Sequence, residues 1–322
     1  MRIKIAFRTT TVALFAALLA MGALAEQPGT WTKLAPVPAV YGGVEGMSVG
    51  LVGNKIIAAL GYDRGAGDTA TTRIYDIDTN TWSFGANAPG VSSEGAGVAH
   101  GGLFYVAGGR RVGPRDDLWA YDIETNSWTA LAPMNQARTG LALVAHGNSL
   151  YAIGGRTTTS PCGGGALDSV ERYDIDTNTW TNVAPMPFAL SDRAAAVVGG
   201  KIYVFGGCHS YFTLVADVDV YDPVTDTWSD APADLSAPRS TFYTVAAKGG
   251  KIFAIGGWDG VTPGLSTNDI YDVARNRWSS GTPMPTPRAE AGSVSHGGRI
   301  YVLGGAQPHS GLSVAAAEAY KP

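Results

Sequence analysis

The sequence predicts an all-β chain built from six similar four-stranded units. Two observations carry this. An apolar run leads into paired glycines at Leu103-Phe104-Tyr105-Val106-Ala107-Gly108-Gly109, and it returns at 150–155, 201–207, 251–257 and 299–305, with a weaker copy at 55–61 where Leu60 replaces the first glycine. A second signature follows: Tyr75-Asp76 then Trp82, Tyr121-Asp122 then Trp128, Tyr173-Asp174 then Trp180, Tyr221-Asp222 then Trp228, Tyr271-Asp272 then Trp278. The Tyr-to-Trp interval is seven residues each time, and the second glycines fall at 61, 109, 155, 207, 257 and 305. A period near fifty marks units that bury their faces only against one another.

Within a unit the strands follow in order. The first is an apolar segment such as Leu141-Ala142-Leu143-Val144. The second ends on the glycines, the third carries Tyr-Asp, and the fourth carries Trp. Between Tyr and Trp runs Asp-Ile-Asp-Thr-Asn-Thr (76–81), nearly repeated at 122–127 and 174–179. Asp, Thr and Asn hydrogen-bond their own backbone in tight turns, so this is a hairpin loop. Glycine lets a ring lie against the backbone, so each Tyr and Trp is expected over its own glycine pair.

Strand-GlyGly, Tyr-Asp and Trp in this order resemble the kelch repeat over residues 31–320. The resemblance implies a six-bladed β-propeller of four-stranded blades around a central channel. The last unit stops at Tyr320-Lys321-Pro322 without a Trp strand, and Trp31-Thr32-Lys33-Leu34-Ala35-Pro36 matches Trp128-Thr129-Ala130-Leu131-Ala132-Pro133 of a fourth strand. An open sheet edge invites aggregation, so the Trp31 strand is expected to complete the blade begun near Ala289.

Residues 1–25 read as a secretory signal peptide: a basic front of Arg2, Lys4 and Arg8, an apolar run at 11–24, and Ala23-Leu24-Ala25 at the cleavage site. The run is short for a bilayer span. Residues 26–322 then form a single propeller domain, periplasmic or secreted, expected as a monomer with no transmembrane segment after cleavage. That segment holds 20 basic and 27 acidic residues. Its acidic balance argues against nucleic acid, which selects a basic surface.

The loops between second and third strands (62–71, 110–117, 156–168, 208–217, 258–268 and 306–314) differ between units and share one face, here called the top. Variable loops on a rigid scaffold are where function concentrates. The segments leading into the first strands reach the same face. They carry Arg138, Arg239 and Arg288, with Arg193 slightly deeper, and Glu45, Ser92, Ser93 and Glu94 in the first two units. In peptide-recognising kelch domains Arg and Ser at this level meet acidic ligands, so the resemblance implies an anion-seeking rim, and a guanidinium fork suits a carboxylate. The alternative is that these arginines pair with acids such as Asp192 or Glu290 and staple the blades. Cys162 and Cys208 lie in top loops of neighbouring units, and the leader implies an oxidising compartment, so a disulfide is expected.

Other signals are weaker. Gly46-Met47-Ser48-Val49-Gly50 has the G-x-S-x-G form but falls in a first strand, where a nucleophile elbow needs strand–turn–helix. His100, His146 and His296 hold equivalent turn positions in different units, so they do not converge as metal ligands must. The copper set of galactose oxidase, a kelch-like enzyme, has no counterpart: only His209 and His309 lie in top loops. No metal or cofactor is expected. The reading is an exported binding or scaffold propeller for a protein or glycan ligand, anionic in character. The alternative is a sugar-ring isomerase resembling periplasmic sialic-acid mutarotases, with Glu45, Glu94 or Glu290 as acid and base beside the arginines.

Overall fold

A computed structural model describes residues 29–209, 212–230, 233–240, 245–307 and 310–322. The signal-peptide reading of residues 1–25 lies outside them. All regular structure in the described residues is β-strand, and no helix there is long and apolar enough to cross a membrane.

Each unit is an antiparallel sheet in which strands follow in chain order. In the second, Ala96–His100, Leu103–Ala107, Leu118–Asp122 and Ser127–Leu131 pair in sequence. The same order holds for the sheets that begin with Ser48–Val52, Ala142–His146, Ala194–Val198 and Val245–Lys248. The remaining sheet orders Gly292–His296, Arg299–Leu303, Ala317–Lys321 and Thr30–Lys33, with Trp31 opposite Tyr320.

The second strands are apolar throughout because both of their faces are buried. Successive side chains point to opposite faces. Phe104 and Val106 pack toward the first unit, with Ile57 and Ala59. Tyr105 and Ala107 pack toward the third, with Leu143 and Tyr173. Six apolar clusters lie between adjacent sheets, and one joins Val49, Ile56 and Tyr75 of the first unit to Tyr301 and Leu303 of the last. The first strands neighbour one another around a cycle, the last beside the first. This is the arrangement of a β-propeller.

The glycine pairs do not lie under the aromatic rings. Tyr and Trp stack on each other with centroids 5.0–5.1 Å apart, at the opposite end of the sheet. Each Trp indole N–H donates across the blade gap, as from Trp128 to the Ala86 carbonyl at 3.0 Å and Trp180 to Ala132 at 2.8 Å. The Tyr hydroxyl donates to a turn residue in a left-handed conformation, as Tyr121 does to Asn126 at 2.7 Å (φ 51°). The first glycine of the pair instead faces the segment leading into the next unit: a Cβ on Gly108 would stand 2.5 Å from the Arg138 carbonyl oxygen. The second glycine donates its N–H to that same carbonyl in all six units, from Gly109 to Arg138 at 3.0 Å round to Gly305 to Val44 at 2.8 Å. Leu60 keeps the required left-handed backbone (φ 64°) without being glycine. Side-chain bulk, rather than an aromatic neighbour, is what these glycines exclude.

The G-x-S-x-G match lies where Ser48 opens a first strand. His100, His146 and His296 each close a first strand, in three different sheets.

Candidate functional site: the mouth of the channel

The segments leading into the first strands converge on the channel axis. At the residue two before each first strand the backbone turns left-handed: Gly46 (φ 61°), Glu94 (54°), Gly140 (61°), Asp192 (56°) and Glu290 (55°). The counterpart in the fifth unit lies outside the described residues. These positions form a hydrogen-bonded collar. Gly46 donates its N–H to the Glu290 carbonyl (3.2 Å), Glu94 to Gly46 (3.0 Å), Gly140 to Glu94 (3.0 Å) and Asp192 to Gly140 (2.8 Å). Non-glycine residues hold such a backbone at a cost and cluster at functional sites. Glu94, Asp192 and Glu290 are three such residues in one ring.

Their side chains form a charged cluster. Arg156, the residue after the third glycine pair, is fully buried and bridges Glu94 and Asp192. It occupies the place of a side chain at residue 140, where a Cβ would stand 2.2 Å from its Nη1. Arg110 Nε donates to Glu94 at 2.7 Å. Glu45 accepts from Arg64 at 3.3 Å and from Ser313 Oγ at 3.2 Å. Asp192 accepts from Ser191 Oγ at 2.9 Å and from the Cys162 N–H at 3.3 Å. The Cys162–Cys208 disulfide, with Cα atoms 5.6 Å apart, ties the third top loop to the fourth unit beside Asp192. That pairing was the one expected.

Glu290 differs from the others. Among the described residues its carboxyl has no ion pair and no hydrogen bond. Enclosure by protein raises its pKa to about 8, helped by the charges of Glu94, Glu45 and Asp192 and opposed by Arg156. Burial also raises Glu45, against the pull of Arg64. A cavity of about 10 Å³ lies between Glu45, Tyr62, Ser93, Glu94, Arg110 and Glu290. Ser93 Oγ is buried there without a hydrogen-bond partner. Below the collar the channel widens to about 460 Å³ between first strands, lined mainly by Val, Ala and Gly with His100 at its lower end.

The arginines expected at the rim stand elsewhere. Arg138, Arg239 and Arg288 turn away from the mouth into their own blades, and Arg193 does the same, each at most 3% exposed. Their partners lie on the third strands: Arg138 with Glu171 (2.5 Å), Arg193 with Asp219 (2.8 Å), Arg239 with Asp269 (2.9 Å) and Arg288 with Glu318 (2.7 Å). Arg138 also donates to the Gly154 and Ser169 carbonyls, at 2.9 and 3.0 Å. These are blade staples, with no free fork for a ligand. Asp192 and Glu290, the partners considered from sequence, stay in the mouth. The true partners carried a signal: each acid sits two residues before a repeat Tyr, where the first two units have Arg73 and Trp119. Of the expected residues, the structure brings Glu45, Glu94 and Glu290 together. Arg64, Arg110 and Arg156 were the cations missed. Arg110 and Arg156 each directly follow a glycine pair.

Residues 96–305 match the family described as the KLHDC2/KLHL20/DRC7 Kelch-repeats domain. The chain belongs to the kelch-repeat family. Among curated relatives it is 32% identical over 198 residues to Kelch-like protein 36 of Bos taurus, covering 54% of this chain and 29% of that one. It is 44% identical over 68 residues to Kelch-like protein terF of Aspergillus terreus, covering 20% of this chain and 15% of the relative. A match to Kelch-like protein 35 of Mus musculus is 44% over 63 residues, 20% of this chain and 11% of that protein. The chain therefore spans less than a third of the length of these relatives. Kelch-repeat proteins typically act as protein-binding scaffolds.

Proposed function

We propose that the chain is an exported, six-bladed kelch propeller that docks a partner protein on its top face. Closure by the Thr30–Lys33 strand is supported by its pairing with Ala317–Lys321 and by the six blade-to-blade glycine hydrogen bonds. Export is supported by the leader-like residues 1–25 and by a disulfide, which persists in oxidising compartments.

One observation carries the docking reading. Of the exposed large apolar side chains among the described residues, Val40, Tyr41, Val112, Phe188, Phe212, Val261 and Leu312 stand on top-face segments. Only Phe84, on an outer strand, and Val224, in an opposite turn, do not. Val112 is 93% and Val261 82% exposed. Seven of these nine exposed large apolar side chains thus share the top face, and a bias of exposed apolar groups to one face is what a protein-docking surface would show. The test is capture from the compartment extract with the parent chain, with a variant carrying Val112→Ser, Phe212→Ser, Val261→Ser and Leu312→Ser, and with Val224→Ser. Proteins held by the parent and by Val224→Ser but lost by the four-site variant support docking. Equal retention by both variants contradicts it.

A sugar-ring isomerase is the second reading, favoured only by Glu290 as an unpaired acid beside Glu94. Its test is the mutarotation rate of an acidic sugar with parent and Glu290→Gln.

A further inference from the structure

We propose that the cavity at the channel mouth is a primary-ammonium site, filled by the tip of a lysine side chain from the docked partner, between the Glu290 carboxyl and the Ser93 hydroxyl. The source of the amine rests on the docking reading above; the site itself rests on the mouth.

The cavity, about 10 Å³, has the size that holds one water molecule, and an ammonium head is of that size. A guanidinium or a carboxylate is wider. An ammonium offers three donors and no acceptor, so it needs acceptors that are otherwise unused. Two are present. Ser93 Oγ is buried without a partner, and a buried hydroxyl left unbonded is costly. The Glu290 carboxyl is also unpaired among the described residues. Tyr62 and Glu290, both on top-face segments, keep some exposure to solvent.

Charge points the same way. Four carboxylates face the mouth, Glu45, Glu94, Asp192 and Glu290, against three guanidiniums, Arg64, Arg110 and Arg156, each already in an ion pair. One negative charge is left over when Glu290 ionises. Desolvation and the neighbouring acids raise its pKa, so a proton competes with the ammonium for that carboxyl. A metal ion fits less well. Among the described residues the convergent His, Cys, Asp or Glu set is Cys162, Asp192 and Cys208, whose sulfurs are bonded to each other.

The test is an NMR titration of the full chain with methylammonium and with Nα-acetyl-lysine methylamide, against tetramethylammonium and the Nε-acetylated lysine derivative. Both primary amines are expected to bind and both controls to fail. Affinity should rise about tenfold per pH unit below the Glu290 pKa, because binding must expel its proton. Glu290→Gln should weaken binding tenfold or more and flatten that pH profile. Ser93→Ala should weaken it several-fold, and Glu124→Gln, in an opposite-face turn, should leave it unchanged. Amine binding that persists in the four-site apolar variant supports the site even where docking fails. No amine binding by the parent, or equal binding by Glu290→Gln with the pH profile intact, overturns the inference while leaving docking standing.

Discussion

The outer hairpins and the channel mouth are built from the same repeat and have opposite characters. At the outer ends the units are near copies: Tyr over Trp, a left-handed Asn or Asp in the turn, and an indole N–H reaching the end of the preceding unit. At the mouth equivalent positions read Gly46, Glu94, Gly140, Asp192 and Glu290, and the residues after the glycine pairs read Tyr62, Arg110, Arg156, Cys208, Trp258 and Ala306. Repetition marks the contacts every blade needs to close a ring. Divergence marks positions freed from that duty. Between the two lies a layer of buried Arg–carboxylate staples, which resembles a binding site in sequence and is frame in structure.

The comparison can be broken first at the ring. Deleting residues 29–38 removes the strand paired with Ala317–Lys321 and uncovers Tyr320. We expect aggregation and loss of the cooperative thermal transition. A soluble variant of parental stability would show that closure does not depend on that strand.

The staples come next. Arg138→Met leaves Glu171 buried without its main partner, and breaking a buried pair from one side costs about 3–5 kcal/mol. Urea unfolding should show a loss of that size. Arg138→Met with Glu171→Leu should recover only part of it, since the desolvation penalty goes with the charge while the Asn135 and Gln136 N–H groups lose their Glu171 acceptor.

A smaller effect separates frame from mouth at glycine. Gly140 and Gly147 both have left-handed backbones, with φ 61° and 57°. An alanine at either pays about 1–2 kcal/mol for that conformation. Only at residue 140 does the new Cβ meet Arg156 and Asp192; at 147 nothing lies within 4 Å. Gly140→Ala should therefore destabilise more than Gly147→Ala and disturb the Arg156 bridge.

The kelch repeat, the order of strands within each sheet and the disulfide partners were legible because they rest on spacing: the glycine period, the seven-residue Tyr–Trp interval and two cysteines in adjacent top loops. The role of the arginines was not. The acid that neutralises Arg138 lies 33 residues downstream, on a strand that folding brings alongside. Nearer acids were the natural candidates, and two of them, Asp192 and Glu290, belong to the mouth. The glycine pairs misled in a similar way. Their neighbour is the backbone leading into the next blade, which no local pattern reveals. With the arginines neutralised, the ground for an anionic ligand is gone, and the unpaired group left at the mouth is an acid.

Glu290 decides whether the mouth is site or frame. Its raised pKa means that the folded chain holds a proton the unfolded chain releases near pH 4.5, so its contribution to stability falls as pH rises from about 4.5 to about 8. A group kept for binding costs stability where it is charged. The most direct measurement is urea unfolding of the parent and Glu290→Gln at pH 5.5 and pH 8.5. The parent should lose stability over that interval, and Glu290→Gln should lose less and equal or exceed the parent at pH 8.5. A Glu290→Gln chain destabilised at both pH values, as Arg138→Met is expected to be, would place Glu290 in the frame and contradict the account.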